Sequence, residues 1–320
     1  VRTVRFHQYG GPEVLRVERV PRPEPGAGEL LIEVDVIGVT LPVIRLTRDV
    51  PGDGGAPLPR TPGGEIAGRV AAIGPGVTGW RIGQRAAGPA LAGAYAEFAA
   101  VPAPFMAPVP DEVDDLAALL LTRSGQVALG ALRAGGFGKG DSVLVTSAAG
   151  GVGHLAVQLS VALGAGRVTA AVGSADKAEF VRSLGADHVV TYDREDWGDP
   201  VDVVLDGVGD DVQAASLRAL APFGRLVCFN AVGGQVDTNE LRMHSRAVIG
   251  FAMAHLAGRR RDVYDRHQRE LWELHIAGRL RPAIHAVLPL EEAANAHLIL
   301  EARANRGKVV LSPRKSPAGK

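Results

Sequence analysis

The stretch Ser142-Val143-Leu144-Val145-Thr146-Ser147-Ala148-Ala149-Gly150-Gly151-Val152-Gly153 decides how this chain is read. Ser142–Ser147 is a short, continuous apolar run, the pattern of a strand buried on both faces. Small residues follow, and Gly151–Leu163 then has the spacing of a helix. A turn built of alanine and glycine lets the backbone bend sharply and approach a pyrophosphate. The N–H groups at the helix start and the helix dipole then attract the anion. Ala148, Ala149, Gly150, Gly151, Val152 and Gly153 are therefore candidate cofactor-binding residues. The bland alternative is a tight strand-to-helix turn with no ligand. His154 reads as an ordinary polar helix-start side chain.

Working outward, strands and helices alternate. Strands are expected at Arg167–Val172, His188–Thr191, Val201–Leu205, Arg225–Asn230 and Ala247–Phe251, with helices at Asp176–Leu184 and Val212–Leu220. Apolar strands separated by helices predict an α/β fold with a doubly wound parallel sheet. Upstream, residues 1–116 are rich in Gly and Pro, with β-branched runs at Leu30–Val36, Ile66–Ile73 and Ala94–Ala99. Turns such as Pro25-Gly26, Gly54-Gly55 and Gly74-Pro75-Gly76 break them, which predicts a compact β-rich domain. Residues 114–134 read as a helix started by Asp111 and Asp114. Downstream come a long polar helix (Asp262–Ala277), a strand (Ala283–Leu288), a helix (Leu290–Ala302) and a strand (Gly307–Leu311). The basic tail Ser312–Lys320 is expected to fray.

Bulk properties narrow the function. The 320 residues are ample for two cores, and 46% of them are hydrophobic. With 35 basic and 35 acidic side chains the formal net charge is zero, which argues against nucleic acid as a partner. Cys228 is the only cysteine, so no internal disulfide or thiolate metal cluster can form; it lies in an apolar strand and reads as an inert core residue. Residues 1–10 carry Arg2, Arg5 and His7 and no apolar core, so no signal peptide is expected. No apolar run is long enough for a membrane span. The expectation is a cytoplasmic protein with a small-molecule substrate and no membrane partner.

The second strand of a dinucleotide fold normally ends in an acid that binds the ribose 2′-hydroxyl of NAD. Here Arg167–Val172 ends in Gly173-Ser174, and Asp176 falls on the following helix. Ser174 and Lys177 are placed to meet a 2′-phosphate by hydrogen bond and by charge, with Tyr192 a third contact. The cofactor expected is NADPH. For Lys177 the bland reading is a solvated helix lysine.

At this point the chain resembles the zinc-independent quinone oxidoreductase (zeta-crystallin-like) branch of the medium-chain dehydrogenase/reductase superfamily. Gly10–Leu15, Pro62–Gly68, Gly93–Phe98, Ala148–Gly153, Leu184–Asp187, Asp206–Gly209 and Gly307–Leu311 carry the resemblance in order along nearly the whole length. It implies a GroES-like β-rich domain (1–116 and 257–320), a Rossmann NADPH-binding domain (117–256), and a cofactor in the cleft where they meet. It further implies a homodimer joined along the Rossmann sheet edge, for which Ala247–Phe251 is the suitable apolar strand. Asn230 and Lys308 would then contact the cofactor.

The departures are informative. In zinc-dependent relatives a histidine precedes the residue matching Glu65, and here Gly64 stands there; the zinc cysteine would fall near Thr40. No metal site is expected. The quinone branch commonly has Asn-Pro-x-Asp where this chain has Thr40-Leu41-Pro42-Val43, and Thr-Ala-Tyr-x-Ala-Leu where it has Ser124-Gly125-Gln126-Val127-Ala128-Leu129. The implied reaction is hydride transfer from NADPH to a quinone or an α,β-unsaturated carbonyl. Thr40, Ser124 and Tyr95 are the candidate catalytic residues; Tyr95 could donate a proton, or simply pack in the core. Arg123 and Arg45 could bind an acidic substrate or be surface arginines. Two alternatives stay open: an enoyl-thioester or polyketide-intermediate reductase, and an NADPH-binding structural or RNA-interacting protein drawing on Arg259-Arg260-Arg261.

Overall fold

The computed structural model describes residues 1–48, 57–230 and 232–314. The expected Gly54-Gly55 turn and most of the Ser312–Lys320 tail lie outside the described residues. The chain forms two compact units, Val1–Arg123 with Ile284–Lys320, and Ser124–Ala283.

The first unit is β-rich. Its elements in chain order are β1 (Arg2–Arg5), β2 (Arg16–Arg19), β3 (Glu29–Gly38), α1 (Leu41–Arg48), β4 (Gly64–Ile73), β5 (Arg85–Ala90), β6 (Phe98–Pro102), β7 (Ala107–Pro108) and α2 (Asp115–Leu120). β3 and β4 form a long antiparallel pair with Gly38 opposite Glu65. Leu30, Ile32, Ile37, Ile66 and Val70 of this pair are fully buried. Each such aliphatic side chain contributes roughly 1.5–3 kcal/mol. The expected strand Ala94–Ala99 lies further along, at β6, because Ala94 and Tyr95 are held in a turn by the Pro62 carbonyl. Asp114 caps α2 by accepting from the Ala117 N–H at 2.7 Å. The helix expected over 114–134 is present but interrupted: Leu121–Gly125 is a π-helical turn before α3 (Gln126–Ala134).

The second unit starts in that turn. After α3 come β8 (Ser142–Val145), α4 (Gly153–Ala162), β9 (Arg167–Val172), α5 (Ala178–Ser183), β10 (His188–Thr191), β11 (Val201–Asp206), α6 (Asp210–Arg218), β12 (Leu220–Cys228), α7 (Thr238–His244), β13 (Ala247–Gly250), α8 (Met253–Arg259) and α9 (Arg261–Ile276). All strand pairs are parallel, in the order β10-β9-β8-β11-β12-β13. Numbered within the sheet this is 3-2-1-4-5-6, the doubly wound dinucleotide order, with its switch point between β8 and β11. Val143, Leu144 and Val145 are fully buried, as strands covered on both faces require.

The chain then returns to the first unit through β14 (Ile284–Pro289), α10 (Ala293–Glu301) and β15 (Lys308–Ser312), and β15 pairs with β3. The unit boundaries at 123/124 and 283/284 differ from the expected 116/117 and 256/257. The second shift is the larger and has a clear cause. Gln126 Nε2 on α3 donates to the Tyr264 carbonyl and to Gln268 Oε1, and Arg133 pairs with Glu270, so α9 belongs to the Rossmann unit. Gln158 extends the hold through two bonds to the Arg281 backbone.

Candidate active site

The turn after β8 has the architecture of an anion cradle. Ser147 adopts a left-handed φ of 49°, which reverses the chain at the strand end. The N–H groups of Ala149, Gly151 and Val152 make no backbone hydrogen bond among the described residues, and they sit at the start of α4. Gly153 lets α4 close on the strand. A Cβ there would run into the Ser147 carbonyl oxygen and stand 2.7 Å from its carbonyl carbon and 2.8 Å from the Ala148 Cα.

Three side chains support this loop in ways the sequence reading did not assign. Asp206, buried at the end of β11, accepts through one oxygen from Thr146 Oγ1 (3.0 Å) and from the Val208 and Gly209 N–H groups. It joins the two strand ends that flank the switch point. His154 is buried rather than a surface helix-start residue: its Nδ1 meets the Gly150 carbonyl at 2.8 Å, and its Nε2 accepts from the Ala283 N–H at 3.0 Å. Those partners define a neutral ring with the proton on Nδ1. Tyr192, expected at a 2′-phosphate, instead accepts from the Ser147 N–H at 2.6 Å and donates to the Ala171 carbonyl. Its hydroxyl props up the entry to the cradle.

Ser174 is exposed just after β9, and its side chain makes no capping bond. Lys177 is largely buried in the 3-10 turn that follows. Asn230 is exposed just beyond the end of β12. Next to it, an open pocket of about 610 Å³ lies at the carboxyl ends of β12 and β13, lined by Phe229, Phe251, Ala252, Leu256 and Cys228 and by the polar side chains of His255, Arg259 and Arg260. Ligands of open α/β sheets bind at this edge. Burial raises the Cys228 thiol above its ordinary range, opposed by a bond from Gln213, so the thiol is a poor nucleophile. Phe251 is admitted by Gly130, where a Cβ would press on the ring. The Arg259–Arg261 run is partly neutralised locally: Arg260 pairs with Asp262 and Arg261 with Asp265.

The first unit holds a second cluster. Glu65 is fully buried at the start of β4, where Gly38 leaves room for it: a Cβ on Gly38 would be 2.6 Å from its carboxyl carbon. Lys308, expected as a cofactor contact, is instead buried and ion-paired with Glu65. Burial pushes its amine below the ordinary lysine value while Glu65 opposes that. Arg123, on the π-helical turn, lies 3.4 Å from the other Glu65 oxygen. Thr40, directly before α1, is buried, and its hydroxyl has no hydrogen-bond partner among the described residues. Ser124 is buried, and Arg45 is exposed on α1. For Tyr95 the sequence left open a proton donor and a core residue. It lies in the apolar core with its hydroxyl on His297 Nε2 (3.1 Å), and burial, aided by the Glu65 charge, raises its pKa far above ordinary. His297 is pushed down to about 4 by burial, so this pair is a neutral core contact.

Residues 26–111 match the alcohol dehydrogenase GroES-like domain and residues 184–311 the zinc-binding dehydrogenase domain. The chain is 32% identical to a 2-haloacrylate reductase from Burkholderia, over 96% of this chain and 98% of that protein. It is also 32% identical to the quinone oxidoreductase of Pseudomonas aeruginosa, over 97% and 99% of the two chains. The chain belongs to the quinone oxidoreductase branch of the medium-chain dehydrogenase/reductase superfamily. The Escherichia coli quinone oxidoreductase solved with NADPH superimposes on this branch member with a TM-score of 0.89 at 30% identity, covering 98% of this chain and all of that one. A mycobacterial protein solved with NADPH gives the same TM-score at 34% identity and the same coverage.

Zinc, present in the name of one matching domain, does not fit this quinone oxidoreductase-branch chain. Gly64 and Thr40 supply no ligand where histidine and cysteine would stand. The nearby carboxylate of Glu65 is already engaged by Lys308 and Arg123, and two cations repel a third. Among the described residues no three His, Cys, Asp or Glu side chains come together.

Proposed function

We propose that this protein is an NADPH-dependent, zinc-independent reductase of quinones or α,β-unsaturated carbonyls. The observation that carries this reading is the cradle of N–H groups at Ala149, Gly151 and Val152, which make no backbone hydrogen bond among the described residues, at the switch point of a 3-2-1-4-5-6 sheet. Those groups and the α4 dipole neutralise the pyrophosphate. Asp206, His154 and Tyr192 hold them in place. Ser174 donates to the 2′-phosphate and Lys177 adds charge, with no acid at the end of β9 to repel it. Bound NADPH supplies a hydride from C4 of its nicotinamide. Phe229, Phe251 and Leu256 offer an apolar surface in the open pocket at the carboxyl ends of β12 and β13. The hydroxyl of Thr40, which has no hydrogen-bond partner among the described residues, is the hydrogen-bond donor for the acceptor's oxygen, where negative charge develops.

The test is NADPH oxidation with benzoquinone, a short enone and an enoyl-thioester. Turnover of the first two supports the reading; turnover of the thioester alone would move the protein to the enoyl-thioester reductases. The absence of NADPH oxidation with all three would overturn it. Cofactor choice has its own test. The Ser174→Ala, Lys177→Ala double variant is expected to weaken NADPH binding by about 10- to 100-fold, the worth of a charged hydrogen bond and an ion pair, while NADH binding changes little. Equal losses for both cofactors would remove these residues from the 2′-phosphate.

We further propose that the protein is a homodimer. β13 is the end strand of the six-stranded sheet, and an open apolar edge of this kind is a pairing template. Sedimentation is expected to give twice the chain mass at micromolar concentration; a monomer there would contradict the proposal.

A further inference from the structure

Glu65, Lys308 and Arg123 form one buried charge cluster with two cations and one anion. Lys308 sits directly on one oxygen of Glu65 and is almost fully enclosed. Arg123 differs in three respects. It stands 3.4 Å from the other oxygen, its side chain is 23% exposed, and Glu65 is its one charged partner among the described residues. A guanidinium has five N–H donors and stays charged at any working pH. With Lys308 protonated, the cluster carries one positive charge more than it neutralises, and Arg123 presents it. Arg123 is partly open to water, so this excess charge is accessible to an incoming anion.

Two further features mark this corner as built for a ligand. Arg123 lies on the π-helical turn Leu121–Gly125, and single π turns inside α-helices recur where a side chain has been re-aimed for function. Thr40, two residues beyond the Gly38 that faces Glu65, buries a hydroxyl with no hydrogen-bond partner among the described residues. A buried donor of this kind is normally satisfied, so its partner is expected to come from a ligand.

We propose that the acceptor is an anionic one, an α,β-unsaturated carboxylate whose carboxylate group is held by Arg123. This rests on the reductase reading above and narrows its substrate class. The fork of a guanidinium matches a carboxylate in a bidentate pair. The pairing also serves the chemistry. A free carboxylate makes the conjugated double bond a poor hydride acceptor, and pairing it with Arg123 withdraws that charge. The change adds a hydride at the β-carbon and a solvent proton at the α-carbon. NADPH is oxidised to NADP⁺, and the carboxylate leaves unchanged.

The experiment compares 2-chloroacrylate with its methyl ester as acceptors, in wild type, Arg123→Gln and Arg123→Lys. The ratio of kcat/KM for acid over ester is expected to fall about 10- to 100-fold in Arg123→Gln, mainly through KM, because the lost interaction is a charge-assisted hydrogen bond. Arg123→Lys is expected to keep part of the ratio. An unchanged ratio in Arg123→Gln, or wild-type turnover of the ester alone, would overturn the proposal. A measurement on the wild type alone guards against a variant that fails to fold: 2-chloropropanoate should inhibit reduction of the ester competitively, and a lack of inhibition at tens of times the ester concentration counts against it. Failure of the reductase reading is distinguishable, since then neither acid, ester nor benzoquinone would consume NADPH.

Discussion

Gly153→Ala will cost the protein most of its affinity for NADPH. The added methyl would collide with the carbonyl group of Ser147 and lie 2.8 Å from the Ala148 Cα, so every obstacle is backbone. No rotamer change relieves such a clash; α4 must move away from the turn. That movement draws the Ala149, Gly151 and Val152 N–H groups off the pyrophosphate. Losing well-placed charge-assisted hydrogen bonds corresponds to about 2–3 kcal/mol, or roughly 30- to 150-fold in Kd. Gly150→Ala is the contrast. Its Cβ would meet Ser147 Oγ at 2.9 Å, which can rotate aside, and the Ser147 carbonyl oxygen at 3.1 Å, a tight contact that a shift of a few tenths of an ångström relieves, so the loss should be several-fold smaller. Calorimetric titration of both variants checks the pair. Equal affinities for wild type and Gly153→Ala would mean that the turn does not hold the cofactor.

Lys308→Met is expected to give the largest loss of stability. It strands the fully buried Glu65 carboxylate, with only Arg123 left at 3.4 Å. Breaking a buried ion pair typically costs 3–5 kcal/mol, and the remaining guanidinium brings the expectation to about 3 kcal/mol. Lys308→Met combined with Glu65→Gln should recover much of the loss, because the stranded charge goes with it. Urea denaturation measures both. A change in Lys308→Met of under about 0.5 kcal/mol, the range of a surface substitution, would show that the pair is not buried as described.

The Rossmann unit was legible because its strands are covered on both faces. Such strands are written as unbroken runs like Val143-Leu144-Val145, and His188–Thr191 and Arg167–Val172 coincide with β10 and β9 residue for residue. The β-rich unit was less so. β2 is a half-exposed Arg-Val-Glu-Arg, and β5 reads Arg-Ala-Ala-Gly-Pro-Ala, with almost no intrinsic strand preference. Their pairing is decided by long-range partners. α1 was missed although Pro42 near its start is a recognised helix-opening signal. α7 and α8 are short and bury nothing, so no apolar stripe betrays them.

In the site, the cradle glycines could be located from local spacing, whereas its supports could not. Asp206 and Thr146 are 60 positions apart, and Glu65 and Lys308 meet only through the pairing of β15 with β3 and of β3 with β4. One signal was available. Glu65 and Lys308 are charges of opposite sign set at the ends of apolar strand runs, and buried charges need partners. Tyr192 was read as a contact to the 2′-phosphate, and its hydroxyl is bonded to the Ser147 N–H; for Tyr95 the core reading, left open beside proton donation, fits its bond to His297.

The central claim is that the turn after β8 grips a dinucleotide bearing a 2′-phosphate. Titrating the purified protein with NADPH and with NADH in the same buffer, by calorimetry, addresses it directly. Saturable binding of one NADPH per chain, at least about tenfold tighter than NADH, is the predicted result. No heat with NADPH at millimolar concentration, or tighter binding of NADH, would contradict it.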